Sequence, residues 1–197
     1  HDMDIHLSPQ LLSRLDEGDD AVFYSEPRLV RHIDDTACAS LTAFLDTVLS
    51  PGSNVLDLMS SYASHLPKDK KFASVIGLGM NQVELDENPQ LTDSVVQNLA
   101  INTRLPFDDG AFQSCLLTVS VQYLVHPIAV FHEIARVLSP GSPCIVSFSN
   151  RCFPTKAVAI WHRLTSTGHA KLVSHYFNIT GKFGPCTVQE MSPEKGQ

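Results

Sequence analysis

The chain has 197 residues, of which 43% are hydrophobic and 18% charged, enough to bury the core of one compact domain. Its net charge of −7 disfavours a protein that binds nucleic-acid phosphates. No apolar stretch approaches the roughly 20 residues that span a bilayer, so we expect no membrane span. The five cysteines are widely spaced, which predicts reduced thiols in an intracellular protein, with the cytoplasm as the expected compartment and an organelle left open.

The first 34 residues are mixed in character, and we interpret residues 1–34 as an N-terminal cap segment ahead of a domain over residues 35–197. Helical spacing of apolar residues predicts a helix over residues 36–49, which the run Ser50-Pro51-Gly52 ends. Apolar runs then predict buried strands at residues 54–58, 73–78, 115–119 and 144–148, and residues 95–99 are interpreted as a strand leading into a loop.

Helical patterns lie between and after these strands. They cover residues 82–88, 128–138, 155–164 and 169–177. The alternation of strands with helices predicts an α/β domain whose mostly parallel sheet carries helices on both faces. The segment Cys186 to Met191 predicts one further strand near the end of the chain.

Two blocks of sequence carry a family resemblance. The first is Leu105-Pro106-Phe107-Asp108-Asp109-Gly110-Ala111-Phe112, and the second is Phe131-His132-Glu133-Ile134-Ala135-Arg136-Val137-Leu138-Ser139-Pro140-Gly141. With the strand Val55-Leu56-Asp57-Leu58, they make residues 54–149 resemble the core of class I S-adenosylmethionine-dependent methyltransferases of type 11.

This resemblance implies a three-layer Rossmann-like methyltransferase fold with S-adenosylmethionine as methyl donor and a small molecule as acceptor. The 49 residues after Phe148 leave room for a sixth strand, and we predict that the seventh strand of the family is missing. The exposed sheet edge would then be covered by the tail or paired with a second copy in a homodimer. Two alternatives stay open: a non-catalytic binding or regulatory module on the same fold, and a dinucleotide-binding protein.

The site is expected beyond the carboxyl ends of the strands, where open parallel sheets bind ligands. The resemblance places Asp57 close to the amino-acid moiety of the cofactor. The residues expected to bind the cofactor are Asp57, Met59, Ser60, Ser61, Ala63, Gly79, Met80, Asn81, Asn98, Leu99, Ser120 and Val121.

The loop after the first strand departs from the family pattern. Met59, Ser61 and Ala63 occupy the three positions where the family has glycines, whose missing side chains permit positive φ and close approach of the backbone to a ligand. Pro67 follows soon after, so we expect the helix that normally succeeds this loop to be cut short.

The two other cofactor positions also depart from the family. The acid that grips the ribose falls near Gly79, which leaves Asn81 or Glu84 as substitutes. The acid near the adenine amino group is replaced by Asn98, whose carbonyl oxygen can accept the same hydrogen bond.

Methyl transfer depends on positioning and on exclusion of water, so a dedicated catalytic residue is not required. The residues that could orient an acceptor are Tyr24, His32, Gln122 and Tyr123. The nine histidines show no spacing typical of metal ligands, so we expect no metal site.

Overall fold

The protein is built around a five-stranded, fully parallel sheet. The structure is a computed structural model that describes residues 7–24, 35–149, 153 and 155–190. The strands lie in the order β3-β2-β1-β4-β5. Their bounds are β1 Asn54–Leu58, β2 Ser74–Gly79, β3 Asp93–Val96, β4 Ser114–Thr118 and β5 Cys144–Ser147. The chain reverses direction of travel across the sheet between β3 and β4, which places a switch point at β1 and β4.

Helices cover both faces of this sheet, which confirms the predicted Rossmann-like fold. They are α1 Asp20–Phe23, α2 Asp35–Val48, α3 Gln82–Asp86, α4 Pro127–Val137, α5 Ala159–His162 and α6 Ser166–Ile179. Successive strand residues point to opposite faces, so Val55 packs in a core with Leu45 of α2 while Leu56 packs in a second core with Phe131 of α4. Among the described residues, no helix combines the length and apolar character needed to cross a membrane.

The two blocks that carry the family resemblance contact each other through one side chain. The Arg136 guanidinium donates to the backbone oxygens of Leu105 (2.9 Å) and Phe107 (2.8 Å) and to the carboxylates of Asp109 and Glu133. The hydrogen bond from Arg136 lowers the pKa of Glu133 below its usual value. These residues therefore hold α4 against the loop before β4 and lie away from the carboxyl ends of the strands.

The predicted sixth strand is wrong within the described residues. Residues 184–190 form no strand and are exposed, with Val188 66% accessible, while Met191 lies outside the described residues. Alternation of polar and apolar residues indicates a strand only where one face is buried, and this segment buries neither. In the described part of the chain β5 is an edge of the sheet, and pairing of that edge in a homodimer stays a prediction.

The helix predicted over residues 155–164 is shortened to α5 because the N-terminal segment takes its first backbone donors. Ala159 N donates to Ser13 O at 2.7 Å, and Ile160 N donates to Leu11 O at 2.8 Å. The N-terminal segment thereby lies against the chain that follows β5.

Candidate functional site

A cavity opens at the carboxyl ends of the strands, on the side predicted from the topology. Its empty volume is about 1200 Å³, which includes open solvent. Four strand ends contribute to it, together with α1, the start of α3 and Phe153. The lining residues are Asp20, Tyr24, Met59, Ser60, Ser61, Tyr62, Ala63, His65, Leu78, Gly79, Met80, Asn81, Glu84, Gln97, Asn98, Leu99, Ala100, Thr118, Val119, Ser120, Tyr123, Leu124, Val125 and Phe153.

Backbone strain is concentrated in this lining. The non-glycine residues with positive φ in the described chain are Met59 (54°), His65 (58°) and Val119 (53°), and all three line the cavity. A left-handed conformation costs a residue with a side chain roughly 1–2 kcal/mol, and it is least suited to the β-branched valine. Such strain typically persists at ligand sites, where the surrounding structure enforces it. Met59 therefore keeps the backbone turn for which the family uses glycine.

The helix that Pro67 predicts to be cut short is absent from the loop after β1, and a buried polar network holds this loop instead. Asp57 accepts hydrogen bonds from the hydroxyls of Ser60 (2.7 Å) and Ser64 (2.5 Å). Asn88 donates to Ser64 Oγ at 2.8 Å. Asp57 is only 2% exposed and does not line the cavity, because its carboxylate is turned toward these serines. Its role in the structure is to fix the loop that lines the cavity.

This network predicts a pH dependence of stability. Burial raises the pKa of Asp57 to about 6, the two serine hydrogen bonds lowering it only in part. Between pH 3.8 and about 6, the Asp57 carboxyl is protonated in the folded state but ionised in the unfolded state. The contribution of Asp57 to the free energy of unfolding is therefore highest below pH 3.8 and is lost as the pH rises through about 6. Asp57→Asn should remove this fall and raise the free energy of unfolding at pH 8 by about 2 kcal/mol.

Urea unfolding at a series of pH values measures the effect. Asp93→Asn, at an exposed carboxylate of β3, is the control and should leave the slope between pH 4 and 7 in place. A slope that Asp57→Asn leaves unchanged would assign the pH dependence to another group.

The end of β2 lies against the loop after β1. Ser60 N donates to Leu78 O at 2.7 Å, and a Cβ at Gly79 would lie 2.3 Å from Ser60 O. No acidic side chain can occupy Gly79, which explains the departure from the family pattern there. Asn81 is committed to capping α3, because its Oδ1 accepts from Glu84 N at 3.2 Å. The Glu84 carboxylate is the acid that lines the cavity beside this strand end.

The ends of β3 and β4 form the opposite wall. Asn98 Oδ1 accepts from Ala100 N at 3.0 Å, which leaves the second lone pair of this oxygen available by valence. Ser120 is 5% exposed, and its buried hydroxyl has no hydrogen-bond partner among the described residues. Since unpaired buried hydroxyls are costly, Ser120 marks a position where a ligand would complete the hydrogen bonding.

The described part of the N-terminal segment, residues 7–24, forms the roof of the cavity, and a buried lysine holds it. Lys156 is 0% exposed, and its ammonium donates to Asp20 Oδ1 (2.7 Å), Gly18 O (3.0 Å) and Asp16 O (3.1 Å). Asp20 also accepts from Arg14 Nη1 at 2.7 Å. All three ammonium protons are thus used, and the carboxylate of Asp20 is shared by two cations.

Aromatic rings close the end of the cavity beneath this roof. The Phe153 ring lies 5.9 Å from that of Tyr123, 6.3 Å from that of Tyr24 and 5.6 Å from that of Phe23, measured between centroids. The Tyr123 hydroxyl accepts from Phe153 N at 2.7 Å. This hydrogen bond fixes the Tyr123 ring against the chain that follows β5.

The family comparison agrees with this geometry. Residues 59–146 match the methyltransferase domain family of type 11. Over these residues the chain is similar to the class I methyltransferases of type 11. The match supports S-adenosylmethionine as the methyl donor and favours neither of the two alternatives. No curated protein matches the chain.

Several solved structures are similar to part of this chain. One is a complex between the Haloferax volcanii Trm112 methyltransferase activator and a methyltransferase, with 21% identity, a TM-score of 0.50, and coverage of 58% of this chain and 53% of that chain. Another is an S-adenosylmethionine-dependent methyltransferase from Mesorhizobium loti, with 16% identity, a TM-score of 0.45, and coverage of 55% and 52%. A third is the Streptomyces coelicolor geranyl diphosphate C-methyltransferase, with 20% identity, a TM-score of 0.44, and coverage of 55% and 43%. The chain thus spans about half the length of the structures it matches.

Most residues predicted for the site line the cavity of the methyltransferase domain. They are Met59, Ser60, Ser61, Ala63, Gly79, Met80, Asn81, Asn98, Leu99 and Ser120, with Tyr24 and Tyr123 for the acceptor. Asp57, Val121 and Gln122 do not line it. Val121 is 1% exposed in the apolar core, and Gln122 is 0% exposed with its Nε2 donating to Val119 O at 3.2 Å. His32 lies outside the described residues.

Sequence reasoning missed several residues of this lining. They include Asp20, Tyr62, His65 and Phe153. Tyr62 and His65 lie in the loop after β1, where the family pattern specifies only the glycine positions and so gives no signal for the residues between and after them. Asp20 and Phe153 lie far apart in the sequence and meet only through the contacts of the roof. The signal that could have indicated Phe153 is its position as an aromatic residue shortly after the predicted strand 144–148, at the edge of the sheet where the site was expected.

Proposed function

We propose that the chain is an S-adenosylmethionine-dependent methyltransferase acting on a small-molecule acceptor, with cofactor and acceptor sharing the cavity at the carboxyl ends of the strands. The observation that supports this most is the concentration of left-handed non-glycine residues in the lining, at Met59, His65 and Val119. Such strain is tolerated where close approach of backbone to ligand is needed.

The residues of the cavity fit the cofactor. The loop Met59 to Ala63, turned by the left-handed Met59, would face its amino-acid part. The Glu84 carboxylate, rather than the capping Asn81, would accept from the ribose hydroxyls. Asn98 Oδ1 would accept from the adenine amino group.

When bound, S-adenosylmethionine supplies a methyl group on a positively charged sulfur, and the C–S bonding pair stays on sulfur as the acceptor lone pair bonds to the methyl carbon. The chain contributes alignment and a cavity shielded from water. Where the acceptor releases a proton, His65 is the imidazole among the described lining residues, and imidazole accepts protons near neutral pH. Tyr24 and Tyr123 line the cavity, and we propose that their side chains orient the acceptor, while His32 stays a prediction.

Filling the cavity should abolish cofactor binding. Ala63 lines the cavity, so Ala63→Phe would place a ring in the space assigned to the cofactor. We expect isothermal titration calorimetry to show binding of S-adenosylmethionine and S-adenosylhomocysteine to the unmodified chain, weakened at least tenfold by Ala63→Phe.

The matched control is Ala39→Phe, on the exposed side of α2. It introduces the same ring without touching the cavity and should leave the affinity unchanged. If neither nucleotide binds the unmodified chain at millimolar concentration, the proposed function is wrong. If Ala63→Phe binds as tightly as Ala39→Phe, the cofactor lies elsewhere.

A further inference from the structure

The acceptor end of the cavity is the part left after the cofactor residues are assigned. It lies under the N-terminal roof, where α1, the chain after β4 and the chain after β5 meet. Its side chains are Asp20, Tyr24, Tyr123, Leu124, Val125 and Phe153. Five of these six are aromatic or aliphatic, and only Asp20 can carry a formal charge near neutral pH.

The charge of Asp20 is already neutralised. Its carboxylate accepts from the Arg14 guanidinium and from the Lys156 ammonium, each at 2.7 Å. Lys156 is 0% exposed, and the Arg14 side chain is 6% exposed, so both cations lie behind the wall rather than in the cavity. An ammonium group on an acceptor would therefore meet a carboxylate whose charge is already offset by two cations and whose Oδ1 accepts from both of them.

Anionic acceptors are disfavoured by the same lining. Among the described residues that line the cavity there is no lysine or arginine. Phosphate and carboxylate groups bind proteins through such cations, in bidentate or point-charge contacts. A buried anion without a cation or a set of donors pays a large desolvation cost.

The aromatic rings favour a flat partner. Tyr123 and Phe153 are only 31° from parallel, and the hydrogen bond from Phe153 N to the Tyr123 hydroxyl holds them together. Tyr24 meets Phe153 at 67°, so the rings form two walls of a corner. Aromatic rings pack best against other rings in offset or edge-to-face arrangements.

We propose that the acceptor end takes a neutral, planar, mostly apolar compound, such as a phenol or a related ring system, and rejects phosphorylated, carboxylated and cationic analogues. This inference rests on the proposed function, because only a methyltransferase would bind its acceptor at this end of the cavity. The charge and shape of the subsite are argued independently, from the contacts of Asp20 and Phe153. Among the described residues of the subsite, the one acid is Asp20, and the buried cations offset its charge.

A charge series on one ring system tests this. The probes are 2-naphthol, 2-naphthyl phosphate and 2-naphthylmethylamine, which share a ring and differ in charge at pH 7. Binding is measured by naphthalene fluorescence to the full chain, with and without saturating S-adenosylhomocysteine. We expect the naphthol to bind at least tenfold more tightly than either charged probe. Equal or tighter binding of the phosphate or the amine would overturn the proposal.

Two variants locate the probe. Phe153→Leu should weaken naphthol binding at least fivefold, because it removes a ring from the corner. Phe107→Leu, at a ring that packs on Phe112 away from the cavity, is the control and should change nothing. Equal effects of the two variants would overturn the assignment of the subsite. Failure of S-adenosylhomocysteine to bind is a separate result that counts against the proposed function alone, since the charge order is also measured without it.

Discussion

Replacing Asp20 with alanine is expected to lower the free energy of unfolding by about 3 to 5 kcal/mol, because it strands a buried ammonium. Lys156 is 0% exposed, and its Nζ donates a hydrogen bond to Asp20 Oδ1 at 2.7 Å. The backbone oxygens of Asp16 and Gly18 stay near the ammonium, and the partly exposed Asp16 carboxylate lies farther away, with its Oδ2 3.7 Å from Lys156 Nζ. Arg14 loses the same partner and keeps the exposed Glu17 carboxylate at 4.0 Å, so one substitution leaves two buried cations with weaker partners.

Urea unfolding followed by circular dichroism measures this loss, and Asp109→Ala is the matched control. Asp109 accepts from Arg136 at 2.8 Å, nearly the same distance, but its side chain is 84% exposed. Exposed ion pairs contribute about 0 to 1 kcal/mol, so the control should lose no more than that. Comparable losses in the two variants would show that burial does not set the strength of the Asp20 contact.

A double variant separates charge from packing. In the Asp20→Asn, Lys156→Met protein no ammonium is left in the wall, so the loss should be smaller than the sum of the two single losses. We expect a coupling of about 1 to 3 kcal/mol, in the range seen for contacting residues. Strict additivity would mean that the two side chains stabilise the roof independently.

The parts of this fold that depend on local patterns were predictable from the sequence. Apolar periodicity placed β1, β2, β4, β5, α2 and α4 within about two residues of their observed bounds. Pro67 indicated that the helix after the first loop would be cut short, because proline removes a donor and restricts the backbone before it, and the structure has no helix there. These features are set by residues that are neighbours in the sequence.

The orientation of Asp57 was not predictable in this way. A carboxylate at a strand end can face a ligand or its own loop, and the choice depends on Ser60 and Ser64 folding back onto it. The roof depends on a contact between residues 136 apart in sequence, Lys156 and Asp20. Nothing in the local pattern around either residue indicates its partner, since a lone lysine is usually solvated.

Adding one methyl group at Gly79 is expected to destabilise the protein by about 3 kcal/mol or more, as overpacking against rigid backbone does. The new Cβ would lie 2.3 Å from Ser60 O and 3.1 Å from Leu85 Cδ2. Ser60 cannot retreat, because its N–H donates to Leu78 O and its hydroxyl donates to Asp57. Gly79→Ala should therefore lower the melting temperature by roughly 6 to 12 °C in a chain of this length.

Two other glycines grade this effect by what their Cβ would meet. At Gly77 the nearest atom is Leu91 Cδ1 at 2.6 Å, the far end of a flexible side chain, so Gly77→Ala should cost about 1 kcal/mol. At Gly184 nothing lies within 4 Å, so Gly184→Ala should leave the melting temperature within about 2 °C. The expected loss of stability therefore decreases in the order Gly79, Gly77, Gly184, because the added Cβ meets rigid backbone at the first, a flexible side chain at the second and no atom at the third. If Gly79→Ala were as stable as Gly184→Ala, the loop after β1 would have to lie farther from β2, and steric exclusion at Gly79 would no longer explain the missing ribose acid.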